Sequence, residues 1–216
     1  FLIMQADRKE NVMTSEIQKG VFTFTVRGNN PQPVPFEYTG VDDEILANKE
    51  TAHIGISLHF GTPIYDLEGP DAAEFLSSIC INSFENLRMD GIRHAVICNE
   101  KGQIMTDGVV LRLDENKYRT YWLQPIIQWL CEKSELDVSG EDVSQSEYFF
   151  QIAGPKSLQI LEEACECDLH DIKFAHHKTV KICGTDMRIL RLGMTGGLAY
   201  EVHGDRANSD LVYERI

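Results

Sequence analysis

The chain has 216 residues and a formal net charge of -14, and 43% of its residues are hydrophobic. A chain of this length can bury one large or two small cores without disulfides, and no apolar run approaches the roughly 20 residues that a membrane span needs. The negative charge repels phosphate backbones and anionic lipid, which argues against nucleic acid and membrane surfaces as partners. We therefore predict a soluble globular protein.

The cysteines have no regular spacing, and most lie inside apolar stretches where a thiol packs as a small hydrophobe. They are Cys80, Cys98, Cys131, Cys165, Cys167 and Cys183. This pattern favours a reducing compartment, and the cytoplasm is the predicted location. Phe1–Met4 is too short for a signal peptide and Leu211–Ile216 has the pattern of an interrupted helix, so both ends are expected to be truncations.

The first predicted elements precede residue 70. Residues 20–40 begin with alternating apolar residues and then become rich in proline, which predicts a strand and an extended loop that serves as a lid or a domain joint. Residues 42–48 predict a short helix. Residues 53–67 alternate in the manner of a hairpin.

A repeated pattern of strand, Gly-Pro turn and helix follows. Residues 65–76 and residues 150–161 share it, with Gly-Pro at positions 69–70 and 154–155. Proline suits the first turn of a helix because its φ angle is fixed and it lacks a donor that would be unpaired there. The repeat predicts two similar α+β halves.

The segment between the repeats predicts an antiparallel meander. Its strands are expected near residues 95–98, 109–113 and 118–123, and a helix follows over residues 125–135. The acidic, serine-containing residues 134–146 predict a linker. Beyond the second repeat three strands are expected, at residues 177–183, 187–192 and 199–203.

Two carboxylates are candidates for chemistry. Asp107 stands between two apolar runs, either as a turn residue that caps a hairpin or as a cleft-facing group at the start of a strand. Glu201 follows a glycine-containing turn and is either exposed on a strand or paired inside a pocket. A carboxylate can accept two adjacent N–H donors, so Glu201 in a pocket would suit the edge of a guanidine-like ring.

Other kinds of site find little support in the sequence. Cys165 and Cys167 add thiols to the seven histidines, but the spacing of these residues does not match the paired ligands of a zinc site. No metal is therefore predicted. The chain has no Gly-x-Ser-x-Gly turn, no cysteine in an activated context and no phosphate-binding glycine loop. Nucleophilic catalysis and nucleotide binding are therefore not expected.

Three segments resemble motifs of the glycine cleavage T protein family, the aminomethyltransferases. Residues 192–202 are similar to its Gly-Tyr-Thr-Gly-Glu-Asp-Gly-Phe-Glu-Ile signature and keep both glycines and the glutamate. Residues 99–107 resemble Asn-Glu-x-Gly-Gly-Ile-x-Asp-Asp, and residues 52–60 resemble Ala-Gly-Leu-Phe-Asp-Val-Ser-His-Met. The resemblance extends from about residue 50 to residue 204 and includes both Gly-Pro units.

This resemblance implies an α+β fold of two antiparallel-sheet and helix subdomains that bind tetrahydrofolate. The first subdomain is expected over residues 1–50 and 146–216, and the second over residues 51–145. The family's C-terminal β-barrel would begin after Ile216 and is missing from this chain. A small-molecule one-carbon donor would be the partner, while the need for a protein partner stays open.

The resemblance also implies a one-carbon transferase with roles for individual residues. Asp107 falls on the catalytic carboxylate beside the folate amine, and Glu201 falls on the glutamate that holds the pterin. Tyr200 would pack on the pterin ring. His59 and His94 would contact the donor or protonate its leaving group, with a purely structural role as the alternative.

The sequence departs from the family pattern where the donor would bind. Thr106 replaces the first aspartate of the pair, and Gln124 stands beside the place of a cofactor-binding asparagine. Residues 81–83 and 106–108 resemble the tetrahydrofolate-dependent O-demethylases, which favours an O-, N- or S-methyl donor over the glycine-derived one. The transferred group, methyl or aminomethyl, would go to N5 of tetrahydrofolate. Two alternatives are a non-catalytic iron-sulfur assembly factor with this fold and the folate domain of an amine dehydrogenase.

Overall fold

The computed structural model describes residues 21–27, 30–37, 39–55, 62–194 and 196–216, the first two ranges by their backbone alone. The chain divides into two compact units. The first takes the described residues of 1–60, 148–171 and 179–216, and the second takes those of 61–147 and 172–178.

The first unit contains a five-stranded sheet with the strand order β10-β11-β12-β9-β3. Its strands are β3 (His53–Gly55), β9 (Glu147–Ala153), β10 (His177–Ile182), β11 (Thr185–Leu190) and β12 (Ala199–Asp205). Its helices are α1 (Val41–Glu50), α4 (Ser157–Cys165) and α5 (Ser209–Arg215), with a 3-10 turn at Arg206–Asn208. Strands β1 (Val21–Arg27) and β2 (Asn30–Glu37) form a separate antiparallel pair.

Strands β9 and β12, which are neighbours inside this sheet, run antiparallel. Phe149 stacks on His203 with ring centroids 4.1 Å apart, and the Gly154 amide donates to the Leu198 carbonyl at 2.9 Å. From the first contact to the second, the residue number increases along β9 and decreases along β12. The two strands therefore run in opposite directions.

The second unit contains a five-stranded antiparallel sheet with the strand order β5-β6-β7-β4-β8. Its strands are β4 (Ile64–Glu68), β5 (Ile92–Cys98), β6 (Ile104–Asp114), β7 (Lys117–Tyr121) and β8 (Ser139–Asp142). Helices α2 (Ala72–Ile79) and α3 (Ile126–Lys133) cover one face of the sheet. The core beneath them includes Tyr65, Leu67, Phe75, Leu76, Val110, Tyr118 and Ile127.

Helix α2 forms because its apolar residues recur at helical spacing. Ala72, Phe75 and Leu76 lie on one face and are buried, while Glu74 is exposed. Burial of this stripe against the sheet supplies most of the stability that an eight-residue helix lacks alone.

The predicted strand, Gly-Pro turn and helix repeat is confirmed in both units. The Ala72 amide donates to the Gly69 carbonyl at 3.1 Å, and the Ser157 amide donates to the Gly154 carbonyl at 3.1 Å. Both glycines have positive φ angles, 150° and 126°. A Cβ at Gly69 would lie 2.2 Å from the Asp137 carbonyl oxygen, so glycine is required there for close packing.

The predicted meander, the helix after it and the three later strands are also confirmed within a few residues. Three other predictions are wrong. The proline-rich segment is strand β2, and the expected linker contains strand β8, whose residues pair with β4. The expected hairpin of residues 53–67 does not form, because β3 pairs with β9 and β4 pairs with β7 and β8.

The pairing of β3 also bears on the first predicted domain boundary. Residues 53–55 lie in the sheet of the first unit, whereas the sequence assigned residues from 51 onward to the second subdomain.

Within the described ranges, no helix is both long and apolar enough to cross a bilayer.

Candidate functional site

Asp107 lies on strand β6 of the second unit, paired opposite Val96 of β5. His94 of β5 pairs with Val109, so His94 and Asp107 are diagonal neighbours on one face. The His94 Nε2 and Asp107 Oδ2 atoms are 3.0 Å apart, and the two side chains are 58% and 60% exposed. Asp107 is therefore a strand residue, and the hairpin-turn alternative is wrong.

The residues on each side of Asp107 fix its strand. A Cβ at Gly108 would lie 1.9 Å from the Tyr121 carbonyl oxygen, so only glycine lets β7 approach this closely. The Thr106 hydroxyl donates to the Trp122 carbonyl at 2.9 Å. Because side chains alternate along a strand, both contacts leave the Asp107 carboxylate on the opposite face.

The surroundings of Asp107 combine apolar and proton-transferring groups. Met105 lies two residues before it, at the irregularity where the register of β5 and β6 shifts, and is 52% exposed. The Ile81 amide donates to the carbonyl of Val96, the residue opposite Asp107, and the Ile81 side chain is 69% exposed. A solvent-accessible imidazole and carboxylate pair can accept and pass on a proton beside an apolar ligand.

The other predicted residues of the second unit have different surroundings. Leu123 is fully buried in the core, whereas Gln124 is half-buried and its Oε1 atom accepts a hydrogen bond from the Ser144 hydroxyl at 3.3 Å. The structure thus places Gln124 in a loop contact, and its assigned role with the cofactor stays a prediction. His59 lies outside the described residues.

Glu201 lies on strand β12 of the first unit and is 4% exposed, so the exposed-strand alternative is wrong. Burial raises the pKa of its carboxyl group from 4.5 to about 8. The Nε2 atom of His203 lies 3.3 Å from its Oε2 atom. At neutral pH this carboxyl group is therefore mostly protonated, and additional N–H donors from a ligand would favour its ionised form.

Tyr200 is also buried, with 1% of its surface exposed, and burial raises the pKa of its hydroxyl. Adjacent residues of a strand point to opposite faces of a sheet, so Tyr200 and Glu201 do not share a face. Tyr200 shares its face with Gly204, which packs against the Tyr148 ring. The structure does not bring Tyr200 together with Glu201, and its role at the pterin stays a prediction.

A cluster at the end of α4 has the composition of a metal site. The ligand atoms of Glu162, Asp168 and His170 lie within 4.8 Å of one another. The cluster also caps backbone, since Glu162 accepts from the Leu169 amide at 2.8 Å and Asp168 accepts from the His170 amide at 2.8 Å. The hydrogen bonds with Glu162 and Asp168 raise the pKa of His170. This turn network accounts for the cluster without an ion.

Two features of the structure were missed by sequence reasoning. Arg119 donates to both oxygens of Asp66 at 2.7 and 2.8 Å and to Glu147 at 2.9 Å, and all three side chains are at least 84% buried. Gln151 lies between Phe150 and Ile152 on β9 and has a buried Nε2 atom. A glutamine inside the otherwise apolar run of residues 148–153 was the signal available for it.

The sequence of this chain is similar to those of known proteins. The family model described as the GCVT N-terminal domain matches residues 15–216. A sesamin methylene transferase from Sinomonas sp. is 58% identical over 184 residues, which cover 85% of this chain and 41% of that protein. A syringate O-demethylase from Sphingobium sp. is 28% identical over 202 residues, which cover 88% of this chain and 44% of that protein. The chain thus spans less than half the length of these two relatives.

A solved structure has the same arrangement of elements. The glycine cleavage system aminomethyltransferase T from Bartonella henselae matches with a TM-score of 0.74 at 19% identity, over 90% of this chain and 53% of that one. This likeness shows the fold and confirms the predicted α+β class with two antiparallel sheets and their helices.

Proposed function

Because this chain belongs to the GCVT N-terminal domain family, we propose that it is the folate-binding part of an enzyme that transfers a one-carbon group to tetrahydrofolate. The buried carboxyl group of Glu201 is the structural observation that carries this proposal. The two units would be the two folate-binding subdomains. The location proposed for the protein is the cytoplasm, which its free cysteines support.

The chemistry of Glu201 fits the group that it would hold. A pterin has a ring edge with two adjacent N–H donors, and an ionised carboxylate accepts both at once. A carboxyl group that burial has driven to a pKa of about 8 gains most from such donors, because they favour its charged form. Glu201 would therefore bind and orient the pterin, and bound tetrahydrofolate would supply the nitrogen nucleophile.

Asp107 and His94 would accept and donate the protons that move during the transfer. Asp107 would accept the proton released as the folate nitrogen becomes substituted, and its charge would stabilise positive charge that develops there. His94, 3.0 Å from Asp107, would protonate the oxygen that leaves the donor. Both side chains are more than half exposed, so substrates can reach them.

We further propose that the donor is an aromatic ether. The similarity to a sesamin methylene transferase, at 58% identity, is much higher than to the syringate O-demethylase, at 28%. A methylene group is therefore favoured over a methyl group as the carbon that is transferred. Its transfer would break both of its C–O bonds, form bonds to two folate nitrogens, and move the two N–H protons to the two released oxygens. The exposed side chains of Ile81 and Met105 beside Asp107 would offer an aromatic donor an apolar surface.

Turnover of aromatic ethers tests this function. Incubation of the protein with tetrahydrofolate and a panel of methylenedioxy and methoxy aromatics should give a catechol or phenol, and the mass of the folate product distinguishes methylene from methyl transfer. Asp107→Asn should lower turnover about a hundredfold, since it cannot accept the proton. Glu100→Gln, an exposed carboxylate of the same hairpin, is the matched control and should leave turnover unchanged.

Two results would contradict the proposal. If Asp107→Asn and Glu100→Gln have equal turnover, then Asp107 has no role in proton transfer. If folate binds but no donor of the panel reacts, the non-catalytic assembly factor or the folate domain of an amine dehydrogenase becomes the better account.

A further inference from the structure

Two cysteines lie side by side where helix α4 ends. Cys165 is the last residue of the helix, and Cys167 follows it by two positions. Their Sγ atoms are 3.1 Å apart, so the two thiols are in direct contact. Cys165 is half-buried and Cys167 is exposed, so a small molecule in solution can reach the pair through Cys167. The proposed one-carbon transfer uses neither thiol.

The backbone between the two cysteines produces this contact. Glu166 has a left-handed conformation, with a φ angle of 55° and a ψ angle of 34°, which ends the helix and turns the chain back. Residues other than glycine seldom adopt this conformation. In a continuing helix, side chains two residues apart do not face each other. The turn at Glu166 therefore brings together two thiols that a helix would separate.

Hydrogen bonds hold the chain on both sides of this turn. The Glu162 carboxylate accepts from the Leu169 amide at 2.8 Å, and Arg215 of α5 donates to the Glu163 carbonyl at 2.7 Å. The Cys165 thiol lies 3.8 Å from the Glu162 carbonyl oxygen. These contacts anchor the turn to α4 and α5, so the folded protein keeps the two thiols together.

This arrangement favours a bond between the two sulfur atoms. The sulfur atoms of a disulfide are about 2 Å apart, so the Sγ atoms of Cys165 and Cys167 need to approach by only about 1 Å. Groups that are held in contact react much faster than the same groups free in solution. Transient disulfides of this kind also occur in reducing compartments, where they respond to oxidants.

We propose that Cys165 and Cys167 form a reversible redox pair, which low-molecular-weight disulfides oxidise to an intramolecular disulfide. Cys167, as the thiolate, attacks one sulfur of the small disulfide, forms a mixed disulfide and releases one small thiol. Cys165, as the thiolate, then attacks the Cys167 sulfur and expels the second small thiol. The two protein thiols are oxidised, the small disulfide is reduced, and the protons of the protein thiols pass to the two released thiolates.

The surroundings of the two thiols determine the order of these steps. Burial and the hydrogen bond with Cys167 raise the pKa of the Cys165 thiol to about 11. Cys165 therefore forms a thiolate less readily than an unperturbed thiol does, and its sulfur is less accessible to a bulky disulfide. Attack by Cys167 comes first for both reasons, and Cys165 resolves the mixed disulfide.

Oxidation followed by digestion with trypsin tests this pair. Residues 157–173 form one tryptic peptide, which contains both cysteines and no others, and Cys183 lies in a different peptide. The folded protein is treated with excess oxidised glutathione, and the remaining thiols are blocked before digestion. Peptide 157–173 should then have lost two hydrogens and carry no glutathionyl group. The peptide of the exposed Cys183 should carry one, and dithiothreitol should restore all of these thiols.

Three comparisons show whether the contact in the structure is responsible. Cys165→Ser removes the resolving thiol and should raise the fraction of Cys167 that carries a glutathionyl group at least about tenfold. Cys183→Ser is the matched control and should leave the product in peptide 157–173 unchanged. Urea-unfolded protein lacks the turn at Glu166, so its ratio of disulfide to glutathionyl adduct in this peptide should be at least about tenfold lower.

Several results would overturn the proposal. Glutathionyl groups on both Cys165 and Cys167, two unreacted thiols, or links between two protein molecules through this peptide would each show that the two cysteines do not form a pair. Equal yields of the disulfide in folded and urea-unfolded protein would show that the turn at Glu166 has no part in the reaction.

Discussion

The two candidate carboxylates show how environment divides similar side chains between roles. Asp107 is 60% exposed and contacts an imidazole, so it can exchange protons with solvent and ligand. Glu201 is 4% exposed, and burial raises the pKa of its carboxyl group to about 8. The first suits proton transfer, and the second suits a fixed hydrogen bond to a buried ligand.

Glu201 should make stability depend on pH in a way that one substitution removes. Its pKa is about 8 in the folded protein against 4.5 as the ordinary value, so between these pH values the folded state binds more protons than the unfolded state. Stability then falls as pH rises through this window, by on the order of 3 kcal/mol at neutral pH. Glu201→Gln should lack this slope and melt at a higher temperature than the unmodified protein near pH 8.

Thermal melts of both proteins at several pH values measure the difference. Glu214→Gln, an exposed carboxylate of α5, is the matched control and should follow the unmodified protein throughout. Equal melting curves for the Glu201 variant and the control at every pH would show that burial does not shift the pKa of Glu201.

At the residue scale, the sequence identifies the two carboxylates but does not predict which residues surround them. Asp107 and Glu201 were found because they stand in recognisable motifs. The placement of Tyr200 on the opposite face from Glu201 follows from strand alternation and could have been derived. The bond of Arg119 with Asp66 joins residues 53 apart in the chain, and no local pattern predicts a pair at that separation.

At the scale of elements, strand β7 carries a buried cation that pairs with two carboxylates of the same unit. Arg119 of β7 contacts Asp66 of the neighbouring strand β4 and also contacts Glu147. Burial lowers the pKa of the Arg119 guanidinium, but the hydrogen bonds to Asp66 and the two carboxylate charges outweigh it and raise the pKa above its usual value. The guanidinium is therefore always charged, and it compensates both buried carboxylates.

Arg119→Met should destabilise the protein by about 3 to 5 kcal/mol, because two buried carboxylates lose their cation. Arg88→Met is the matched control, since the pair of Arg88 with Asp90 is 71% and 46% exposed, and its loss should cost less than about 1 kcal/mol. Denaturant midpoints measure both changes. Similar midpoints for the two variants would mean that the buried pair contributes no more than the exposed one.

Prediction of the elements succeeded where local signals were strong and failed where pairing was distant. The Gly-Pro turns and the meander were found because turn residues and alternation mark them. The sequence predicts a linker at strand β8, Ser139–Asp142, because its four exposed residues carry no hydrophobic pattern. The segment of residues 53–67 alternates like a hairpin, but its two strands pair in different sheets.

At the scale of the whole molecule, the chain consists of two units whose candidate groups differ in kind. The first holds the buried carboxyl group of Glu201, and the second holds the exposed pair of Asp107 and His94. A formal net charge of -14 over 216 residues favours small-molecule partners over nucleic acid. The curated relatives are more than twice as long as the matched segment, so the donor and the complete reaction remain proposals.

Calorimetric titration of the protein with tetrahydrofolate, at neutral pH and in two buffers of different ionisation enthalpy, tests the central claim most directly. Glu201 is mostly protonated at this pH and must ionise to accept the pterin donors, so binding should release close to one proton. Glu201→Gln should bind tetrahydrofolate at least about tenfold more weakly, because its amide presents a donor to the ligand's N–H groups. This variant should release no proton, because an amide has no carboxyl proton to lose. No binding by the unmodified protein, or equal binding by the variant, would contradict the assignment of Glu201 to the pterin.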